Sequence, residues 1–364
     1  MPTRSKFIAF MPQWDFLNFI AERAQSYPQF QLKMETEAVD LLEQDGRITG
    51  VKAISPQGRL DVRADLVVAA DGRHSLVREK AGLEALELGA PMDVLWMRVS
   101  KRPGDLQQSL GRADAGHIFV MIDREDYWQC GLVIRKGGFE EMRHEGFEAF
   151  RRLVTRLAPF LSDRVFDRVG EWSGWDDIKL LTVMVNRLKK WYRPGLLCIG
   201  DAAHAMSPIG GVGINLAIQD AVAAANILAA PLARGAVASD RLEAVQRRRE
   251  LPTRLTQELQ LFIQNKVVTR VLGRGAGKIE PPLALKLLAR WPLLRRIPAR
   301  LIGMGFRPEH VSPLQESGVR SQETGGPRRD EAAVAGSSAA QELSEQRGAA
   351  GAGIGVSRAG VVRC

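Results

Sequence analysis

The stretch GLLCIGDAAHAMSPIGGVGINLAIQDAVAAANI, residues 195–227, decides how this chain is read. Leu196 to Ile199 is a short apolar run of the size of a buried strand. Gly200-Asp201 follows at once, so Asp201 falls where a parallel strand ends, the edge at which open α/β sheets bind ligands. A loop with Pro208, Gly210, Gly211 and Gly213 comes next, and a helix starts near Asn215. The glycines leave backbone N–H groups uncovered, and the helix start adds the positive pole of its dipole. Such a site suits a bound anion, or a ring that becomes anionic during a reaction. The same order of elements describes an ordinary βα unit, so the glycines alone do not decide between the two readings.

A second stretch repeats the logic. Leu66 to Ala70 reads as a buried strand, and Asp71-Gly72-Arg73-His74-Ser75 stands at its end. Asp71 again occupies a strand's carboxyl end, and Gly72 permits a sharp turn. A capped βα turn, with Asp71 or Ser75 capping the helix of Val77 to Ala81, explains this stretch equally well.

Taken whole, the two strings are far more specific. GD-A-A-H-x-x-x-P-x-x-G-x-G-x-N, with Asp220-Ala221 behind it, resembles the GD motif of flavin-dependent aromatic hydroxylases of the p-hydroxybenzoate hydroxylase type. The D-G-x-x-S-x-x-R pattern from Asp71 resembles the DG motif of the same family, and the order of the two is the family's. The resemblance implies that Asp201 holds the ribityl chain of FAD, and that Pro208, Gly211, Gly213, Ile214 and Asn215 frame the flavin ring. It implies that Asp71 and Gly72 support the FAD pyrophosphate and the use of a pyridine nucleotide. It places a flavin-contacting Gln13 at the start of a helix from about Pro12 to Ser26. His204 is expected to be a structural neighbour of the flavin loop. No catalytic side chain and no metal site is assigned.

The implied fold is α/β: a Rossmann-like, doubly wound FAD-binding domain with an inserted β-rich substrate domain and a helical carboxyl region. The expected divisions are 1–82 with the DG motif, 83–189 for the substrate sheet, 190–231 with the GD motif, 232–311 for the helical region, and 312–364 as a disordered tail. The tail has no aromatic residue and is dominated by Gly, Ala, Ser, Arg and Glu. A domain of this class begins with a strand, G-x-G-x-x-G and a helix. The glycines before Asp71 are Gly46, Gly50 and Gly58, which do not make that motif, so the sequence reads as a member truncated at its amino end.

The implied activity is an NAD(P)H-dependent monooxygenase that hydroxylates a small aromatic or related organic substrate with O₂ through a flavin C4a-hydroperoxide. A reductase or dehydrogenase acting on a lipid-like substrate, and a non-catalytic remnant, are the alternatives. Composition is compatible with an enzyme: 45% hydrophobic residues in 364, with 51 Lys+Arg against 42 Asp+Glu. The net charge of +9 is modest, and no nucleic-acid-binding signature accompanies it. Three cysteines without a CxxC spacing point to a reducing compartment, hence a cytoplasmic location. Lys and Arg interleave with apolar runs over 261–311, which suggests weak peripheral contact with a membrane, a packed helical subdomain being the plainer reading.

Periodicity fills in the rest. Leu17, Ile20, Ala21 and Ala24 form one stripe, expected to be buried, with Trp14 as a core or staple aromatic. Phe30–Met34, Ala38–Leu42, Ile48–Ser55, Met92–Val99, His117–Asp123, Tyr127–Arg135 and Lys179–Arg187 read as strands, and Phe139–Leu157 and Leu242–Gln264 as helices. Trp96, Met121, Trp128 and Met184 are candidate pocket residues, although core positions are the commoner outcome at strand spacing. Arg247, Arg248 and Arg249 read as a solvated helix face.

Overall fold

The computed structural model describes residues 11–106, 109–114, 116–166, 171–235, 237–273, 290–291 and 296–312. The expected tail beyond Ser312, and cations such as Lys278 and Lys286, lie outside the described residues.

Helix α1 (Gln13–Gln25) opens the described chain, with Pro12 at its N-cap. Strands β1 (Glu37–Gln44), β2 (Arg47–Ser55) and β3 (Gly58–Arg63) form an antiparallel meander. Asp45 and Gly46 turn the first hairpin with φ of 50° and 75°, the double positive φ that a type I′ turn needs. Strand β4 (Val67–Ala69) then leads into α2 (Leu76–Lys80).

Strands β5 (Ala85–Glu87), β6 (Met92–Ser100), β7 (Leu110–Asp114), β8 (His117–Asp123) and β9 (Tyr127–Arg135) follow. Helices α3 (Phe139–Glu145), α4 (Phe147–Leu157) and α5 (Ser162–Val165) come next. Strand β10 (Lys179–Leu181) completes a five-stranded antiparallel sheet of order β10-β6-β9-β8-β7. Strand β11 (Asn186–Leu188) pairs with β5. Strands β12 (Tyr192–Arg193) and β13 (Leu196–Cys198) join β4 in the order β12-β13-β4. The carboxyl half is helical: α6 (Gly213–Leu232), α7 (Ser239–Ile263), a π-helical turn at Gln264–Val268, α8 (Thr269–Leu272) and α9 (Arg296–Met304).

Strand alternation splits the five-stranded sheet into two packed faces. Leu95, Met97, Val99, Phe119, Met121, Trp128, Cys130 and Leu132 pack against Phe150, Val154 and Leu157 of α4. The opposite face, with Met92, Val94 and Val133, packs against Val268 and Leu272 and gathers Trp96, Ile118 and Ile209 at its margin. A third core joins β4 and β13 to α6 and α7 through Leu196, Leu197, Ala224, Leu228, Leu242 and Val245.

Several expectations are corrected here. No residue of α1 is fully buried; Trp14 is 71% exposed and Ile20 45%. The apolar side of the 13-residue helix is only partly covered, with Leu17, Ala21 and Ala24 half-buried. Phe30–Met34 forms no strand beyond a single bridge at Lys33. The single helix expected over Phe139–Leu157 is two, broken at Gly146, whose φ of 92° and ψ of 154° no helix admits. The strand expected over Lys179–Arg187 divides into β10 and β11, which belong to different sheets. Between them Asp93 accepts a hydrogen bond from the Val183 N–H at 2.9 Å, and Lys136 donates to the Val183 carbonyl at 2.6 Å. Side chains thus satisfy the backbone where a neighbouring strand would have done so.

Candidate functional site

The two motifs lie side by side. Strands β4 and β13 are parallel neighbours, with Leu196 opposite Val67 and Cys198 opposite Ala69. Asp71-Gly72 and Gly200-Asp201 therefore emerge together from the carboxyl ends of adjacent strands. Arg78 ties the two turns, donating to the Ala202 carbonyl at 3.3 Å and the Arg73 carbonyl at 2.9 Å. Arg73 reaches Asp201 at 3.8 Å.

The Asp71 carboxylate is committed to helix α2. It accepts from the Ser75 hydroxyl at 2.5 Å and from the Val77 N–H at 3.2 Å, while the Ser75 hydroxyl oxygen accepts from the Arg78 N–H at 3.0 Å. This capping explains why Asp and Ser stand four residues apart. Gly72, at φ 90°, turns through open space.

Gly200 has two reasons to be glycine. Its φ is 57°, and a Cβ there would come within 2.9 Å of the Ala217 Cβ, where α6 crosses the strand end. Asp201 itself is left with a side chain 35% exposed and the long Arg73 contact as its ion pair, so its oxygens remain open to a ligand.

The loop after Asp201 is held from behind by α7. The Gln260 amide donates to the carbonyls of Ser207 at 3.0 Å and Ile209 at 2.9 Å. The Gln257 amide donates to the carbonyls of Asn186 at 2.7 Å and Ala205 at 3.1 Å. At the front, Pro208 opens a turn closed by the Gly211 N–H, and Gly210 and Gly211 have φ of 79° and 63°. A Cβ on Gly211 would meet nothing within 4 Å, so its backbone faces open space. Helix α6 then starts at Gly213 with no side-chain cap. Ile214 is exposed and Asn215 half-buried in its first turn. An open carboxylate, uncovered loop backbone and an uncapped 20-residue helix form a cradle suited to the ribityl and ring end of FAD.

Behind the cradle sits a buried charge cluster that the sequence reading did not assign. Asp220 of α6 is fully buried; it accepts from the Gly200 N–H at 3.1 Å, meets His204 Nε2 at 2.6 Å, and accepts from Arg249 Nε at 2.9 Å. Burial pushes the Asp220 carboxyl up, but the contacts to His204 and Arg249 outweigh it and hold the group below the ordinary carboxylate range. His204 Nδ1 has no hydrogen-bond partner among the described residues, and the imidazole lies against the Trp191 ring, 5.0 Å between centroids. His204 is thus part of the scaffold behind the loop.

Arg249 corrects the expected solvated face: it is fully buried, Arg248 pairs with Glu309, and Arg247 alone of the three is open. The signal for this was present. Arg249, Thr253, Gln257 and Gln260 continue, at three- and four-residue steps, the inward phase set by Leu242 and Val245.

Of the pocket candidates, Met121 and Trp128 are buried on the α4 side of the sheet. Trp96 is on the other face, in the group that includes Ile209 of the loop. Its ring lies over Gly131, where a Cβ would come within 2.9 Å of it. Met184 is half-buried between β10 and β11. Gln13 is exposed and makes no hydrogen bond or ion pair among the described residues.

Comparison with known proteins identifies the family. A family model described as an FAD binding domain matches residues 1–258. The chain is 33% identical over 293 residues to a 6-methylpretetramide 4-monooxygenase of Streptomyces rimosus, covering 80% of this chain and 68% of that one. Its fold resembles the OxyS anhydrotetracycline hydroxylase of Streptomyces rimosus, with a TM-score of 0.60 and 21% identity over 81% of this chain and 56% of that one. It also resembles PqsL of Pseudomonas aeruginosa, crystallised with 2-aminobenzoylacetate, with a TM-score of 0.58 and 21% identity over 72% of each chain. With a family match over more than half its length and a relative at this level of identity, the chain belongs to the FAD-binding-domain family to which FAD-dependent monooxygenases belong.

Proposed function

We propose that this protein is an NAD(P)H-dependent FAD monooxygenase that hydroxylates a small aromatic or related organic substrate. The observation that carries the reading is the adjacency of the two motif turns on parallel strands, opening onto an uncovered glycine loop and an uncapped helix. Kinship with the S. rimosus monooxygenase supports the substrate class.

In this reading Asp201 accepts hydrogen bonds from the ribityl hydroxyls, and Pro208, Gly211, Gly213, Ile214 and Asn215 lie against the ring. The start of α6 favours negative charge on it. Bound FAD supplies the redox chemistry: two electrons come from the nicotinamide, and of the two atoms of O₂ one goes to the substrate and one to water. The chain's contribution is to bind, orient and keep water out. Asp71 and Gly72 serve through the turn they shape, since the Asp71 oxygens are already bonded within α2. The sheet face bearing Trp96 shields the substrate side, because it shares a packed cluster with Ile209 of the loop.

The test is reconstitution of the purified chain with FAD, followed by bound flavin per chain and nicotinamide oxidation with a panel of phenols under labelled O₂. Flavin binding with labelled oxygen in the product supports the proposal. A folded chain that takes up no FAD, or a reduced flavin that never transfers oxygen, overturns it.

A further inference from the structure

A run of contacts connects the flavin turn to the last described segment. Residues 304–312 lie along α6 and α7. Gln219 donates to the Met304 carbonyl at 3.2 Å, and Asn226 donates to the His310 carbonyl at 2.8 Å and accepts from the Ser312 N–H at 3.0 Å. At the centre is Glu309, whose side chain is only 5% exposed. Arg248 grips it with two bonds of 2.6 and 3.1 Å, and Arg249 Nη1 reaches it at 3.5 Å while donating to the Arg307 carbonyl at 3.0 Å. The same Arg249 guanidinium donates through Nε to Asp220, and Asp220 accepts from the Gly200 N–H immediately before Asp201.

We infer that Glu309, Arg249 and Asp220 are positioning residues that make the geometry of the Gly200-Asp201 turn, and so FAD affinity, depend on how the 304–312 segment is docked. The inference rests on the reading of Asp201 as the flavin's ribityl partner. The physical ground is that one guanidinium is shared by two buried carboxylates. Arg249 cannot shift toward Asp220 without loosening its hold on Glu309 and the Arg307 carbonyl. In a water-poor interior no solvent replaces a lost partner, so a change at one end is passed on as a change in position rather than absorbed. At the other end, Asp220 fixes a backbone N–H rather than a mobile side chain, which leaves the turn little independent freedom.

The test uses the full chain and FAD itself. Glu309→Gln keeps the shape and removes the charge; it is expected to weaken FAD binding about fivefold or more. The loss is expected to disappear in an Asp201→Asn background, because the relay acts through that residue, and to be partly restored by Glu309→Asp. Asn226→Ala frees the same segment without altering charge, so it serves if Glu309→Gln does not fold, with the same direction expected. Urea stability is measured alongside. Unchanged FAD affinity in Glu309→Gln, or a loss that is fully additive with Asp201→Asn, overturns the relay and leaves only a structural contact. A wild-type chain that takes up no FAD fails at the Asp201 reading itself and removes the relay with it.

Discussion

Replacing Arg249 by leucine is the most demanding test of the buried cluster. The wild-type guanidinium bonds Asp220 at 2.9 Å, the Arg307 carbonyl at 3.0 Å, Gln219 at 3.2 Å and Glu309 at 3.5 Å, and has no solvent exposure. Leucine fills part of the volume but leaves Asp220 as a buried carboxylate with His204 and one N–H. Removing one partner of a buried ion pair costs about 3–5 kcal/mol, because the remaining charge is uncompensated. Against a typical stability of about 5–15 kcal/mol, that is a large share of the total. Urea unfolding followed by circular dichroism measures it, with Arg254→Ala as the control. Arg254 pairs with Glu258 at 3.5 Å on the solvent side, where truncation changes stability by no more than about 1 kcal/mol. The pH dependence has a defined sign. The Asp220 carboxyl is held below its ordinary 3.8, so its stabilisation is complete above that value and is lost as pH falls through the folded-state value. The gap between wild type and Arg249→Leu should therefore narrow below about pH 4. A loss under about 1 kcal/mol at neutral pH would show that Asp220 is not ionised, or that solvent reaches the cluster.

Asp201→Ala is expected to weaken FAD binding by about 1–3 kcal/mol, read by flavin titration; unchanged affinity in a folded variant removes the ribityl assignment. Gly195→Ala is expected to prevent folding or cost several kcal/mol, since φ is 78° there and the new Cβ would fall 1.9 Å from the Ile48 carbonyl oxygen; an unfolding midpoint near wild type contradicts that packing. Cys130 and Cys198 are fully buried with thiols pushed up to about 12 by burial, so iodoacetamide at pH 8 should modify them only after denaturation, as peptide mass spectrometry will show.

The motif turns were legible because everything that makes them lies within a few residues: an apolar run, an acid, a glycine, a helix start. Strands β1 and β2 were legible for the same reason, as the apolar runs Ala38–Leu42 and Ile48–Ser55 lie on either side of Asp45-Gly46. What escaped depends on partners far along the chain. Arg249 looks like any helix arginine until Asp220 and Glu309 are placed beside it. The break at residues 182–185 depends on Asp93, some ninety residues away, which takes the Val183 N–H. The stripe on α1 shows a different limit. Periodicity identifies an apolar side, as Leu17, Ala21 and Ala24 still do, but burial requires a neighbour to cover it.

The pairing of β4 with β13 also has a consequence for the order of folding. It closes a loop of about 130 residues, from Val67 to Leu196, and long closures are entropically unfavourable and slow. The five-stranded sheet lies inside that loop, and its first and last strands in sequence, β6 and β10, are spatial neighbours: Val94 pairs with Leu181. Once that sheet has formed around its local β8–β9 hairpin, the free chain remaining between the motif strands shrinks to roughly forty residues. By the logarithmic dependence on loop length this lowers the closure cost by about 1 kcal/mol. The five-stranded sheet thus acts first as a clamp, gathering the chain so that the two motif strands meet.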